Sequence, residues 1–224
     1  MAGATLGTGF PRDALLVFGV ASLLLAALCL FGQGDIKRLL AYSSVEHMGI
    51  LAIGVSFGAP IALAGVLLHV LAHAAAKGNA FMGAGVLVRK FQTKSVAAIS
   101  GGLDLLPWSG PLLLVAVLAL AAMPPFGIFR SEFEIVAGGF AASRNAAAAV
   151  LIVVVTLAFL GLSLAANRML VSPPATRLPR GEPSAWMVAP VVAGVVALLL
   201  LGVHPPAHLA ELLARGAEEL RGLR

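Results

Sequence analysis

Six long apolar segments constrain the fold of this chain more than any other feature of its sequence. Each has about 18 or more predominantly apolar residues, enough for a helix to cross the hydrocarbon core of a bilayer. They occupy approximately residues 14–31, 40–57, 61–88, 111–140, 146–166 and 185–203. Backbone polar groups in lipid must be satisfied inside the spanning element, so such segments fold as helices. We therefore expect an all-α membrane protein with about six transmembrane helices.

The composition agrees with a membrane protein. The chain is 60% hydrophobic and 11% charged, against about 45–50% apolar and about 25% charged residues in soluble domains. The 15 Lys and Arg residues exceed the 10 Asp and Glu residues, but they are scattered, so we expect no nucleic-acid partner. One cysteine, Cys29, excludes an internal disulfide and a cysteine-held iron–sulfur cluster.

The segments divide the chain into three regions. Residues 1–13 form an N-terminal segment, residues 14–203 the transmembrane domain, and residues 204–224 a tail. In the tail, leucines recur at near-helical spacing, which predicts a short amphipathic helix on the membrane surface. These are Leu209, Leu212, Leu213 and Leu220.

Basic residues predict the orientation, because they accumulate in cytoplasmic loops. One side is assigned Lys37, Arg38, Arg89, Lys90, Lys94, Arg168, Arg177 and Arg180, and the other Arg12, Arg144 and Arg215. The first side is expected to be cytoplasmic. The chain would then lie in the cell's inner (plasma) membrane with both termini on the non-cytoplasmic side.

The fourth apolar segment is too long for one straight span and contains the sequence MPPFG at Met123–Gly127. The adjacent Pro124 and Pro125 remove backbone donors and should break the helix inside the membrane. Broken helices at that depth line a polar path or are enclosed by protein.

Ionisable residues within the apolar segments mark the candidate functional site, because a charge at mid-bilayer is costly. They are Glu46, His47, His69, His73, Lys77, Arg130, Glu132 and Glu134. His69, His73 and Lys77 recur every fourth residue, which predicts a ladder about 12 Å tall along one helix face. Such a ladder suits proton transfer, because histidine titrates near neutral pH through either ring nitrogen.

Other roles for these residues are possible but less favoured. The sequence HVLAH has zinc-site spacing but lacks the glutamate of the metalloprotease signature, and no carboxylate ligand is suggested nearby, so we expect no metal. Haem ligation by His47 with His69 or His73 would leave Lys77 without a purpose. Arg130 and Glu134, four residues apart, are favoured as a structural pair.

The sequence resembles the second half of the antiporter-like proton-pumping subunits shared by respiratory complex I, Mrp antiporters and membrane-bound hydrogenases. The matching stretches are GDIKRLLAYSSVEHMGI at Gly34–Ile50, HVLAHAAAKGNAFMGAG at His69–Gly85 and the run at Gly101–Ile135 that ends in PPFGIFRSEFEI. The sequences SSVEHMG and PPFGIFRSEFEI are most similar to the hydrogenase-4 and formate hydrogenlyase branch, and within it to hydrogenase-4 component F.

The resemblance implies a fold of one five-helix repeat with a broken helix, followed by a closing helix. It also implies roles for individual residues. Lys37 would lie near a cytoplasmic access route, and His69, His73 and Lys77 would lie on the central hydrophilic axis. Glu132 would occupy the position at the broken helix, an acid or a lysine in the family, through which protons leave.

One departure from the family concerns partners. The family's first repeat carries its own glutamate and lysine pair, which this sequence does not supply, so a truncated product, a split subunit and a minimal form remain open. A lone half should leave its polar axis facing lipid. We therefore expect further subunits of a complex, including one that supplies the first repeat.

Three functions follow in order of preference. The first is a proton-translocating subunit of a redox-driven complex, of the hydrogenase-4 or complex I type, that has no cofactor and performs no redox step itself. The second is a component of a cation/proton antiporter. The third is a haem-binding or structural membrane subunit.

Overall fold

A computed structural model describes residues 9–175 and 178–222, and within these ranges the regular elements are helices. The predicted all-α class is confirmed. The helices are α1 (Gly9–Phe31), α2 (Ile36–Phe57), α3 (Pro60–Phe91), α4 (Ser109–Leu120), α5 (Gly127–Ala141), α6 (Asn145–Ala166), α7 (Ala189–Val203) and α8 (Ala207–Gly222). Short helical turns lie at Val96–Ala98, Gly102–Leu105, Asn167–Val171 and Ala185–Met187.

Among the described residues, four helices are long and apolar enough to cross a membrane: α1, α2, α3 and the helix that begins with α6. A fifth span is reached if α7 and α8, which meet at an angle of 63°, count as one. The predicted fourth segment is divided between α4 and α5, of 12 and 15 residues, each short for a crossing of about 20 residues. The count of six spans stays a prediction.

Local sequence signals set the limits of α2 and α3. The Asp35 carboxylate caps α2 by accepting hydrogen bonds from the backbone N–H groups of Lys37 (2.7 Å) and Arg38 (3.2 Å). Pro60 begins α3, where a missing N–H costs nothing. Arg89 and Lys90 occupy the last turn of α3, where positive charge favours the helix dipole.

The predicted helix break is confirmed. α4 ends at Leu120 and α5 begins at Gly127, and between them Ala122 has a left-handed backbone conformation (φ 56°). The prolines in this segment cannot donate backbone hydrogen bonds, so α4 cannot continue through them.

Hydrogen bonds between loops show which ends of the helices lie together. An isolated antiparallel bridge joins Asp35 to Ser95, so the loop after α1 meets the loop after α3. The Lys90 ammonium donates to the backbone carbonyls of Pro179 and Gly181, each at 2.6 Å, which brings the segment after α6 to the same end. We call this the basic end. Arg177, assigned to it from sequence, lies outside the described residues.

A different ion pair marks the opposite end of the molecule. Arg144 donates to Asp13 at 3.1 Å, which ties the loop between α5 and α6 to the first turns of α1. The predicted separation of Arg144 from the basic loops therefore agrees with the structure.

Helix α3 is central, packing against α2, α4, α5, α7 and α8, while α1 packs on α2 and α6. Glycines allow close approach of α3 and α5. A side chain at Gly138 would meet the backbone nitrogen of Ala62 at 2.7 Å, and one at Gly65 would meet the carbonyl oxygen of Ser131 at 2.9 Å. This contact aligns the polar faces of the two helices.

The tail forms α8, which packs against α3. Ala217 is buried, and a side chain at Gly216 would contact Leu67. Leu212 and Leu220 are exposed. The predicted helix is therefore present, with one side on α3 and apolar side chains available to a lipid surface.

Candidate functional site

Three helices bring eight buried polar side chains together between them. We call this set the polar axis. Its members are Ser43, Glu46 and His47 on α2, His69, His73 and Lys77 on α3, and Ser131 and Glu132 on α5; none is more than 9% exposed. The α3 residues share one helix face because they are spaced by four.

A chain of hydrogen bonds crosses all three helices. His47 Nδ1 lies 3.0 Å from His69 Nε2, and His69 Nδ1 lies 2.9 Å from the Ser131 hydroxyl. The Ser131 hydroxyl lies 2.8 Å from the carbonyl oxygen of Ile128, to which it donates. One neutral arrangement satisfies every contact: His47 Nδ1–H donates to His69 Nε2, and His69 Nδ1–H donates to Ser131.

His73 adds a third ring beside this chain. Its ring centroid lies 4.4 Å from that of His47 and 6.2 Å from that of His69. Its Nδ1 atom is buried and has no hydrogen-bond partner among the described residues. His73 is thus packed into the cluster but has a nitrogen free to accept or donate a proton.

Lys77 forms a second hydrogen-bonded group, nearer the basic end. Its ammonium donates to the carbonyl oxygen of Leu40 at 2.6 Å and to the Ser43 hydroxyl at 2.5 Å. The Ser43 hydroxyl in turn donates to Leu40 at 3.1 Å. Helix α2 therefore holds the Lys77 ammonium, one helical turn from His73.

Two carboxyl groups lie beside these hydrogen-bonded groups. Glu46 is buried and lies within electrostatic range of Lys77. Glu132 Oε1 lies 3.9 Å from His47 Nδ1 and makes no hydrogen bond in the described part of the chain. Buried carboxyl groups without full hydrogen bonding are costly, which is typical of functional sites.

A cavity of about 420 Å³ adjoins Glu132, between α5 and α6. Its wall is mostly apolar and includes Phe129, Phe133, Val155 and Phe159. The Glu132 carboxyl group therefore lies between the histidine cluster and a cavity at the broken helix.

The structure also separates two predicted residues from the polar axis. Arg130 Nε donates to Glu134 Oε1 at 3.1 Å, and both side chains are partly exposed. This agrees with the predicted pair, which leaves Glu132 without a local cation. Lys37 is exposed in the first turn of α2, away from the buried cluster.

Ser43 and Ser131 were not predicted as site residues, although each forms part of a hydrogen-bonded group. Ser43 precedes His47 by four residues and so shares its helix face. Ser131 directly precedes Glu132, and only the contact of α5 with α3 brings it to His69. Helical spacing was therefore a usable signal for Ser43 but not for Ser131.

The expectation that a lone half leaves its polar axis facing lipid is wrong. His47 and His69 are fully buried, and Lys77 is 9% exposed. α3 is surrounded by α2, α4, α5 and α7, so the chain's own helices cover its polar face. Direct contact between His47 and His69 also leaves no room for a porphyrin between their rings.

Comparison with curated proteins places this arrangement among known sequences. The chain is 39% identical over 142 residues to a protein named hydrogenase-4 component F homolog from Methylacidiphilum infernorum (isolate V4), covering 63% of this chain and 30% of that protein. It is 32% identical over 195 residues to a protein of Rhizobium meliloti (strain 1021) named as a probable K(+)/H(+) antiporter subunit, of type A/B, covering 84% and 19%. It is 31% identical over 194 residues to NADH-quinone oxidoreductase subunit M of Pseudomonas aeruginosa, covering 84% and 36%. The chain thus spans 19–36% of the length of these relatives.

Solved structures show the same fold. A chain of respiratory complex I from Thermus thermophilus with bound NADH superposes with a TM-score of 0.84 at 28% identity, covering 95% of this chain and 44% of that one. A chain of the Mrp complex from Dietzia sp. DQ12-45-1b superposes with a TM-score of 0.86 at 20% identity, covering 96% and 48%.

The family assignment rests on a longer match. Residues 7–161 match the family described as NADH:quinone oxidoreductase/Mrp antiporter, TM. That range contains the three helices of the polar axis, together with the broken helix between α4 and α5. The resemblance inferred from sequence is confirmed, and this chain belongs to the NADH:quinone oxidoreductase/Mrp antiporter transmembrane family.

Proposed function

We propose that this chain is a proton-translocating membrane subunit of a redox-driven complex. The observation that carries the proposal is the buried polar axis, in which titratable side chains from α2, α3 and α5 lie in contact or one helical turn apart. Polar groups at this depth are expensive and normally mark ion or proton routes.

Proton transfer would run from Lys77 through the histidine cluster to Glu132. Lys77 and His73 are one helical turn apart, so a proton crosses this gap by side-chain rotation or through a water molecule. His73, His47 and His69 each present a second ring nitrogen once one has been used. The 3.9 Å between His47 Nδ1 and Glu132 Oε1 is closed in the same way.

Electrostatics would drive this transfer. Lys77 carries a positive charge next to the carboxyl group of Glu46, in surroundings where water screens little. A charge that appears or moves in a neighbouring subunit would alter the balance between these groups. The proton then moves to the next member of the polar axis without any ligand binding.

Entry and exit follow from the two ends of the molecule. We assign the basic end to the cytoplasm of a plasma (inner) membrane, because basic residues accumulate in cytoplasmic loops. Exposed Lys37 lies at that end and would attract protons towards the axis. Glu132, beside the cavity at the broken helix, is the proposed exit.

The redox reaction is assigned to other subunits. We also propose that the chain works beside a second antiporter-type repeat, in the same complex, that supplies the glutamate and lysine pair of the first repeat. The support is that the superposed chains of complex I and the Mrp complex are about twice as long as the part matched here.

A component of a cation/proton antiporter is the second candidate. It is favoured by the relative named as a probable K(+)/H(+) antiporter subunit and by the fold shared with a chain of the Mrp complex. The two candidates differ in driving force: an electron donor for the first, and a Na⁺ or K⁺ gradient for the second.

The test uses the native complex, purified through an affinity tag on this chain and reconstituted into vesicles with a pH-sensitive dye. We expect acidification of the lumen when an electron donor is supplied, and none from a Na⁺ or K⁺ gradient alone. Lys77→Ala should abolish it, whereas Lys94→Ala, an exposed lysine at the basic end, should not. Proton movement driven only by the cation gradient would favour the antiporter.

A further inference from the structure

The histidines of the polar axis have a second chemical capacity. His47, His69 and His73 each offer a ring nitrogen, and these atoms lie within 4.8 Å of one another. Neutral imidazole is the commonest protein ligand of transition-metal ions. Two residues come from α3 and one from α2, so the packing of these helices creates a donor set that neither helix has alone.

A carboxylate lies beside this set. Glu132 Oε1 is 3.9 Å from His47 Nδ1 and, like His73 Nδ1, has no hydrogen-bond partner among the described residues. The sequence indicated no such carboxylate, because Glu132 follows His73 by 59 residues and is brought close only by α5. Three imidazoles and a carboxylate form a four-ligand set of the kind that zinc accepts.

The geometry allows an ion to fit with small movements. Three atoms within 4.8 Å of one another surround a point no more than about 2.8 Å from each. Zinc–nitrogen bonds are about 2.0–2.1 Å long, so each ring needs to move inward by less than about 1 Å. Rotation of the histidine side chains supplies this movement without a change in the helices.

The surrounding charges support a divalent ion. Glu46 and Glu132 provide two carboxyl groups within or beside the cluster. The Lys77 ammonium opposes a cation, but its donors are engaged by Leu40 and Ser43 on the side of the basic end. Imidazole-rich sites favour zinc and copper, whereas magnesium and calcium require mainly oxygen ligands.

We propose that His47, His69, His73 and Glu132 form a binding site for a zinc-type divalent transition-metal ion. Resting on the proposed function, we also propose that an ion bound there stops proton transfer. The ion would occupy the ring lone pairs that accept protons and would replace the His47–His69 hydrogen bond. The site would therefore make the complex sensitive to zinc.

Binding is tested first on the whole chain, purified in detergent through a tag that contains no histidine. Zn²⁺ is titrated calorimetrically, and Co²⁺ is used as a probe because its visible absorption reports tetrahedral coordination. We expect one ion per chain. His73→Asn and Glu132→Gln should each weaken binding at least about tenfold, as loss of even an outer-shell partner costs about 10–100-fold.

His208→Asn is the matched control, since His208 is exposed on α8, away from the cluster. It should leave the affinity unchanged. Size-exclusion profiles of all variants show whether each is folded, and two independent ligand variants protect the test against the misfolding of one. No binding by the wild-type chain, or equal binding by wild type, His73→Asn and Glu132→Gln, overturns the metal site.

The second measurement adds Zn²⁺ to the reconstituted complex during donor-driven proton pumping. Inhibition that His208→Asn retains supports the block, whereas unchanged pumping at saturating Zn²⁺ overturns it. If the complex pumps no protons but the chain binds Zn²⁺ through these residues, the proposed function fails and the metal site stands. The two failures are therefore distinguishable.

Discussion

His47 on α2 and His69 on α3 are joined ring to ring, with Nδ1 of His47 lying 3.0 Å from Nε2 of His69. The contact links two helices at a depth where neither ring has access to bulk water, as both are fully buried. His69 continues the connection to Ser131 on α5 at 2.9 Å. His69 is therefore the only ring that hydrogen-bonds to both α2 and α5 within the described part of the chain.

This arrangement predicts unequal effects for the histidines of α3. His69→Ala breaks both connections and should slow pumping more than His73→Ala, which removes a ring packed beside His47. Each single variant should retain part of the rate, because water can replace one ring, and the double variant should lose it. Initial rates of dye quenching in vesicles measure this order. A double variant that pumps at the wild-type rate would contradict a histidine pathway.

Lys77→Ala should abolish pumping while the protein remains inserted and assembled. The substitution removes the ammonium that Leu40 and Ser43 hold in the polar axis, but it leaves no large apolar gap. Lys94→Ala, a surface change at the basic end, is the control. Vesicle pumping and co-purification of the complex are measured together, and full pumping by Lys77→Ala would eliminate Lys77 as a member of the pathway.

Glu132→Gln should be inactive, because an amide keeps the size of the side chain but carries no titratable proton. Glu132→Lys is expected to be tolerated, since a lysine supplies a titratable group at the broken helix. Glu134→Gln is the matched control, because Glu134 pairs with Arg130 outside the axis. Pumping rates and carboxyl infrared difference spectra report on the site. Normal pumping by Glu132→Gln would remove Glu132 as the exit.

Packing of α3 against α5 is tested with two glycines. Gly138→Ala places a methyl group 2.7 Å from the backbone nitrogen of Ala62 and should destabilise the protein by about 1–3 kcal/mol. Gly78→Ala points into open space and should stabilise α3 by up to about 1 kcal/mol. Thermal unfolding in detergent, followed by size-exclusion fluorescence, measures both. Equal stability of the two variants would show that α5 does not approach α3 this closely.

Orientation is tested by cysteine labelling in a Cys29→Ala background. Gly34→Cys, Thr93→Cys and Pro179→Cys lie at the basic end and should react with a membrane-impermeant maleimide only from the cytoplasmic side. Ala141→Cys, exposed at the C-terminal end of α5, should react only from the other side. The reverse pattern would invert the assigned orientation.

The sequence by itself determined which residues enter the membrane domain and where its helices change. Long apolar segments predict helices because lipid offers no hydrogen bonds to a backbone, and Pro124 and Pro125 predict the break because proline has no donor. Spacing of four residues placed His69, His73 and Lys77 on one face, and the Arg130–Glu134 pair followed from the same rule. These are local properties, fixed by the geometry of a single helix.

Only the tertiary structure decided what that face meets. The sequence does not show that α2 brings His47 to His69, that Ser43 holds Lys77, or that α5 brings Ser131 and Glu132 to the cluster. It also led to the wrong expectation of a lipid-facing axis, because burial depends on how α3 is surrounded. Contacts between helices depend on close approach at positions such as Gly65 and Gly138, where side-chain size and crossing geometry act together across distant parts of the chain.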